Sequence, residues 1–250
     1  MKEVLLITGS SGIAAATARL WAAENPVFVV GINKEECRSL ATDLGEASFA
    51  VADVRDEPAI RNAVAACLER FGRIDALFNV AGISARSAGD GPLHECKSEA
   101  WNLVMDVNAK GTFLMCREVL GVWTKNAQTG VILNCGSVLA RHPQRDHFTT
   151  AGYAASKGAI EAMSMSAAAY YAPGGIRVNV IAPGLVRTPM SARAQANPAI
   201  TKYMTHKQPL TKGMLSAEDV AKTACFLLRR DSSPITGQIV TVDGGWTVSE

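Results

Sequence analysis

A chain of 250 residues can hold one or two domains, and 48% apolar residues supply a sizeable core. Its 25 Lys and Arg nearly balance 23 Asp and Glu, so no strong net field draws it to nucleic acid or to a membrane surface, and a small molecule is the expected partner. No apolar run approaches the ~20 residues that cross a bilayer, and six cysteines, at 37, 67, 96, 116, 135 and 225, form neither a CxxC pair nor a metal-ligand spacing. With no signal-like start, the expectation is a soluble, cytoplasmic protein with reduced thiols and no metal site.

In chain order, apolar runs suited to buried strands occur at 4–8, 27–32, 48–52, 76–80, 131–135, 177–181 and 238–242. Between them, helical periodicity marks 14–23, 58–71, 99–123, 152–171 and 217–228. Continuous rather than alternating apolar strands imply burial on both faces, hence helices on both sides of a mostly parallel sheet. The expected class is α/β, a doubly wound sheet in a single domain spanning 1–250, because no linker or repeat divides the chain. The stretch 187–215 has no clear strand and is broken by Pro189, Pro198 and Pro209; it follows a late strand, so a substrate lid is expected there.

The first strand runs into Gly9-Ser10-Ser11-Gly12-Ile13-Ala14 and then a helix. Glycine there allows a sharp turn and a close backbone approach to a pyrophosphate, which the amides of the helix N-terminus attract. The second strand closes as Gly31-Ile32-Asn33-Lys34 without a carboxylate for an adenosine ribose. Asn33 can bond a 2′-hydroxyl and Lys34 can meet a 2′-phosphate, so NAD and NADP both stay open.

Tyr153 and Lys157 stand four apart in a helical segment and share one face. A tyrosine in water keeps its proton up to a pH of about 10; a nearby ammonium favours the phenolate, and Lys157 supplies one. Ser137 follows the strand at 131–135, at the end where open sheets gather ligands, and can donate to a developing oxyanion or cap a turn.

Taken together, these segments resemble the short-chain dehydrogenases/reductases. The likeness runs from the first strand nearly to the end: Thr8-Gly9, Asp53-Val54, Asn79-Val80-Ala81-Gly82, Asn108, Ser137, Tyr153 with Lys157, Pro183-Gly184, Thr188 and the closing VDGGW, in family order. The resemblance implies a Rossmann-type fold and reversible hydride transfer between a nicotinamide cofactor and a small alcohol or ketone. It implies Tyr153 as general acid/base, Lys157 as its charge partner and ribose ligand, Ser137 as the group that orients the substrate oxygen, and Asn108 as anchor of a relay water. For the cofactor it implies Gly9, Ser10, Ser11, Gly12 and Ile13 at the pyrophosphate, with Ile32, Asn33, Asp53 and Val54 around the adenosine. Asn79, Ala81 and Gly82 would line the cleft, and Pro183, Gly184, Val186 and Thr188 would face the nicotinamide. Asn79 can equally tie adjacent strands, and Asp53 can be a turn cap. Family members are commonly homotetramers, so a homotetramer or homodimer is expected through 99–123, 152–171 and the C-terminal segment.

Three departures stand out. TGSSGIA is one residue shorter than the usual TGxxxGxG and carries Ala14 at the third glycine, where a methyl crowds helix against strand. The acidic residue of many NAD-using members is missing from Gly31 and Ile32, although the GIN run is similar to the DIN run of such members and leans toward NAD. The interval between Ser137 and Tyr153 is long and polar, and its Arg141, His142, Arg145 and His147 can meet an anionic or polar substrate or simply face solvent. The shortened loop also motivates an alternative, a catalytically weak NAD(P)-binding sensor or scaffold. A sugar-nucleotide epimerase with the same Tyr/Lys pair would need a larger substrate region after the last strand.

Overall fold

The computed structural model describes residues 2–249; Met1 and Glu250, the outermost residues of the expected single domain, lie outside them. Seven strands, β1 (Leu5–Thr8), β2 (Val27–Gly31), β3 (Ala47–Val51), β4 (Ala76–Asn79), β5 (Gly130–Cys135), β6 (Ile176–Pro183) and β7 (Ile239–Val242), form one sheet in the order β3-β2-β1-β4-β5-β6-β7. All neighbours pair in parallel. Their apolar runs follow from the covering helices. In β1, Leu5 and Ile7 face one core with α1 (Gly12–Ala22) and α9 (Ala217–Leu228), whereas Leu6 faces a second core with α3 (Glu57–Phe71) and α5 (Gly111–Lys125). Phe28, Leu77 and Phe78 are almost wholly buried, and each removes enough apolar surface from water to contribute about 1.5–3 kcal/mol.

Side-chain caps set several helix starts. Asn33 accepts the amides of Glu35 and Glu36 at the head of α2 (Lys34–Asp43), and Asp56 accepts Ala59 N in α3. The segment at 99–123, expected as one helix, is interrupted: α4 (Ser98–Val104) passes through a wide π turn at Met105–Lys110 before α5. That turn carries the fully buried Asn108, and a π turn inside a helix often marks a functional site. The segment 187–215 holds two helices, α7 (Ala192–Gln195) and α8 (Pro198–Lys207). Ala194, Ile200, Met204 and Met214 of that segment pack with Val138, Phe148 and Trp246 into a small core of their own.

The long helix α6 (Ala151–Tyr171) begins without a cap from its own N-cap residue, Thr150. Instead Asp90, buried in a distant loop, accepts Gly152 N at 2.9 Å and Tyr153 N at 2.8 Å. A carboxylate at a helix N-terminus satisfies open amides and opposes the positive end of the helix dipole.

All six cysteines are free, and burial pushes the Cys67 and Cys116 thiols up to about 12. Among the described residues no helix is long and apolar enough to cross a membrane, and no group of three or more His, Cys, Asp or Glu is placed to hold a metal ion.

Asp90→Ala strands two buried amides and is expected to lower the unfolding free energy by about 1–3 kcal/mol. Urea denaturation followed by circular dichroism measures this, and an unchanged midpoint would show that the carboxylate contributes nothing to the start of α6.

Candidate active site

A cavity of about 590 Å³ lies beyond the carboxyl ends of the central strands, lined by the turns that follow β1, β4, β5 and β6. Parallel sheets gather ligands where the strand order reverses, here between β1 and β4. The Thr8 hydroxyl holds that junction, accepting Val80 N at 3.0 Å and Ala81 N at 3.2 Å.

Gly9, Ser10, Ser11, Gly12 and Ile13 all line one half of the cavity. Gly9 has φ +103° and Gly12 φ +53°, conformations that favour glycine. A Cβ on Gly12 would meet the Thr188 side chain at 2.9 Å, so the bare backbone keeps open the space at the head of α1. Helix α1 starts with no side-chain cap and no acidic residue in its first turn, which leaves its amides free for an anion. The shortened loop accommodates Ala14 through the missing side chain at Gly9, whose Cβ would stand 3.2 Å from the Ala14 methyl, and Ala14 is fully buried. Helix α1 therefore packs against the shortened turn, and the uncapped amides at its head are compatible with a phosphate-bearing cofactor.

Ile32, Asp53 and Val54 line the far end of this half. Asp53 makes a paired contact with Arg55 at 2.6–3.0 Å, and hydrogen bonds from Arg55 hold its carboxyl below the usual carboxylate range. Glu36, from the first turn of α2, reaches the cavity and accepts the Ser10 hydroxyl at 2.8 Å. Asn33 and Lys34 do not line the cavity; the Asn33 side chain caps α2 and donates to Glu36 at 3.2 Å.

In the other half, Tyr153 and the buried Lys157 lie one turn apart on α6 and both line the cavity. The Lys157 ammonium donates to the Cys135 carbonyl at 2.7 Å and sits 5.7 Å from the centre of the Tyr153 ring. Ser137 lines the same wall, and its hydroxyl also accepts Leu139 N at 3.2 Å, so one side chain caps a turn and borders the cavity. Ala81, Gly82, Pro183, Gly184, Val186 and Thr188 complete the nearby surface.

Asn108 and Asn79 lie behind the wall rather than on it. Asn108 accepts Ile83 N at 2.8 Å and donates to Ile83 O and to Ser156 Oγ, bracing the turn after β4. A Cβ on Gly82 would come within 3.0 Å of Asn108 Oδ1 and 3.6 Å of the Lys157 ammonium, so these groups crowd around that turn. Asn79 donates to Asn134 Oδ1 at 2.9 Å, which ties β4 to β5. Of the polar interval before Tyr153, Arg141 pairs with the buried Glu161 at 2.7 Å, and His142 bonds through its backbone, its amide donating to the Val138 carbonyl and its carbonyl accepting from the Trp246 indole. Arg145 and His147 border an adjoining, shallower cavity.

Sequence reasoning missed Glu36, Arg55, Arg86, Phe148, Arg193 and Trp246 as cavity residues. For Glu36 a signal existed, since a carboxylate three residues past an N-cap in a first helical turn can fold back over that cap.

A family model described as enoyl-(acyl carrier protein) reductase matches residues 7–247. The chain is 33% identical over 252 residues to 2,5-dichloro-2,5-cyclohexadiene-1,4-diol dehydrogenase LinX of Sphingobium indicum, covering 99% of this chain and 96% of that protein. It is 35% identical to cis-4-hydroxycyclohexanecarboxylate dehydrogenase of Sinomonas cyclohexanicum, covering 98% and 97% of the two chains. Among solved structures, it resembles 3-ketoacyl-(acyl-carrier-protein) reductase from Brucella melitensis complexed with NADH at a TM-score of 0.87 and 30% identity, over 98% of each chain. With this match along nearly its whole length, the chain belongs to the short-chain dehydrogenase/reductase family of nicotinamide-dependent oxidoreductases.

Proposed function

We propose that the chain interconverts a small, ring-sized secondary alcohol and its ketone, with Tyr153 as general acid/base. The observation that carries this reading is the sharing of one cavity by Tyr153, Lys157 and Ser137 with the glycine turn at Gly9–Gly12. Hydride transfer to and from carbon is the chemistry the bound nicotinamide supplies. The chain's own groups manage the oxygen: Ser137 Oγ donates to it, the Tyr153 phenol gives or takes its proton, and the Lys157 ammonium keeps positive charge beside the phenol. Apolar walls from Leu103, Val138, Phe148, Leu185 and Met190 suit a ring, as do the cyclohexadiene and cyclohexane rings in the names of two relatives. Segment 187–215 supports a lid role because Thr188, Met190, Arg193 and Ala194 line the cavity from it. Nothing in the site favours a sensor or scaffold over an enzyme.

For the cofactor the proposal is NAD. Glu36 sets a carboxylate beside Ser10 at the end of β2, where a 2′-phosphate would meet like charge. Arg55 is the cation at that end, and it is paired with Asp53. A cytoplasmic homotetramer is the proposed form: Trp101, Phe113, Met165 and Tyr170 expose large apolar side chains on α4, α5 and α6, the elements expected to meet a second copy.

Three measurements test these points. Tyr153→Phe is expected to lower kcat for cyclohexanone reduction by about 10²–10⁴-fold, with NADH binding retained in a tryptophan-fluorescence titration; a normal rate overturns the role of the phenol. Glu36→Gln should raise kcat/KM for NADPH by about tenfold, the scale of one like-charge contact at a surface site, and an unchanged NADH/NADPH ratio would remove Glu36 from cofactor choice. Light scattering after gel filtration should give an oligomer, and a monomer at micromolar concentration contradicts the assembly.

A further inference from the structure

Among the described residues, three buried side-chain polar atoms lack a hydrogen-bond partner, and one of them is cationic: Nη2 of Arg86. A buried donor without an acceptor is unusual enough to call for an explanation. Arg86 lines the main cavity and also the adjoining one of about 410 Å³, and Arg193 lines both with it. Burial, and next the neighbouring charge of Arg193, pull the Arg86 guanidinium below its usual range. Asp90 attracts this charge from nearby but gives Nη2 no hydrogen bond. Asp90 is committed to the amides of Gly152 and Tyr153, and Glu95 lies 3.3 Å from His94.

The backbone carrying these arginines is specialised. Arg86 opens a short 3₁₀ turn between Ala85 at φ +45° and Gly89 at φ +105°. Arg193 donates to the carbonyl of His147, itself at φ +66°. Two of the four non-glycine residues in the left-handed region among those described thus adjoin one pocket, and such strain persists where the surroundings enforce it, often at ligand sites. Hydrogen bonds from Ala88 N and Asp90 N to the Ala85 carbonyl lock the Arg86 turn in place.

We propose that Arg86, with Arg193, is an anion-recognition site at the substrate end of the cavity, so that the preferred alcohol or ketone carries a carboxylate-like group. This rests on the dehydrogenase reading above and deepens it, naming the substrate class. An anion there gives the orphaned donor an acceptor, relieves the repulsion between the two cations, and gains the strength of charge-assisted bonds to a planar guanidinium. It also fixes which end of the substrate points toward Tyr153, whose amide is held by Asp90 in the same loop as Arg86.

The test compares binding and turnover in the full-length protein at fixed ionic strength. With NADH present, cyclohexanecarboxylate is expected to bind about ten- to a hundredfold tighter than cyclohexanecarboxamide, the range for a hydrogen bond to a charged group; Trp246 in the cavity wall provides the fluorescence readout. Arg86→Leu should abolish the preference and raise KM for 4-oxocyclohexanecarboxylate, while Arg86→Lys should keep part of it; an NADH titration verifies that both variants are folded. Equal binding of acid and amide by the wild type overturns the anion site, even if cyclohexanone is reduced. Inorganic phosphate displacing cyclohexanecarboxylate at equal concentration overturns the substrate class, since that marks a general anion site rather than a substrate one. A retained acid preference with no turnover of either ketone supports the site and sinks the dehydrogenase assignment instead.

Discussion

The Thr8 hydroxyl accepts the amides of Val80 and Ala81, and through it the end of β1 is bound to the turn after β4. These two strands are neighbours at the point where the sheet reverses its order, so their following turns diverge and leave a crevice. Other contacts serve to keep that crevice open. Gly9 and Gly12 adopt positive φ so that no side chain fills it, and Asn108 braces the Ile83 backbone just past the same turn. Loss of this junction would let the two turns collapse on each other, and the cavity between them would have no floor.

Much of the fold was legible in the residues because a sheet covered on both faces demands uninterrupted apolar strands, and each of the seven runs became a strand. Helix α2 offers only a narrow apolar stripe among mostly polar residues, the i, i+3, i+4 set Cys37, Leu40 and Ala41 that it buries. The prolines at 189 and 198 read as breaks, yet each opens a helical turn, where a missing amide hydrogen costs nothing. The π turn within 99–123 is not found by periodicity, because the residues on either side each keep helical spacing and no residue type marks the wide turn between them.

The cofactor half of the cavity is made largely of backbone, and backbone geometry is what glycine positions report. That is why Gly9, Gly12 and Gly82 were legible in the residues, and Ala14 packs in the shortened loop because Gly9 opposite it has no side chain. Asn33 and Asn79 were drawn toward the ligand by their place in the motif, but both spend their side chains on structure, one on a helix cap and one on a strand-to-strand bond. Glu36 reaches the crevice because α2 turns back over the end of β2, and its place three residues past the Asn33 cap is the trace of this in the residues.

The substrate half is assembled differently, from side chains delivered by four separated segments: Arg86 after β4, Phe148 before α6, Arg193 in α7 and Trp246 after β7. Side-chain convergence over such separations depends on the packed core around Ile200 and Met204, which seats 187–215 against Phe148 and Trp246. One loop joins this half to the chemistry. The stretch from Ala85 to Gly91 carries Arg86 at one end, gives the Asp90 carboxylate to the first amides of α6, and accepts Ala151 N on the Gly91 carbonyl. A displacement of that loop would move the Arg86 guanidinium and the backbone of Tyr153 together, so the position of the phenol is tied mechanically to the wall proposed to face the substrate.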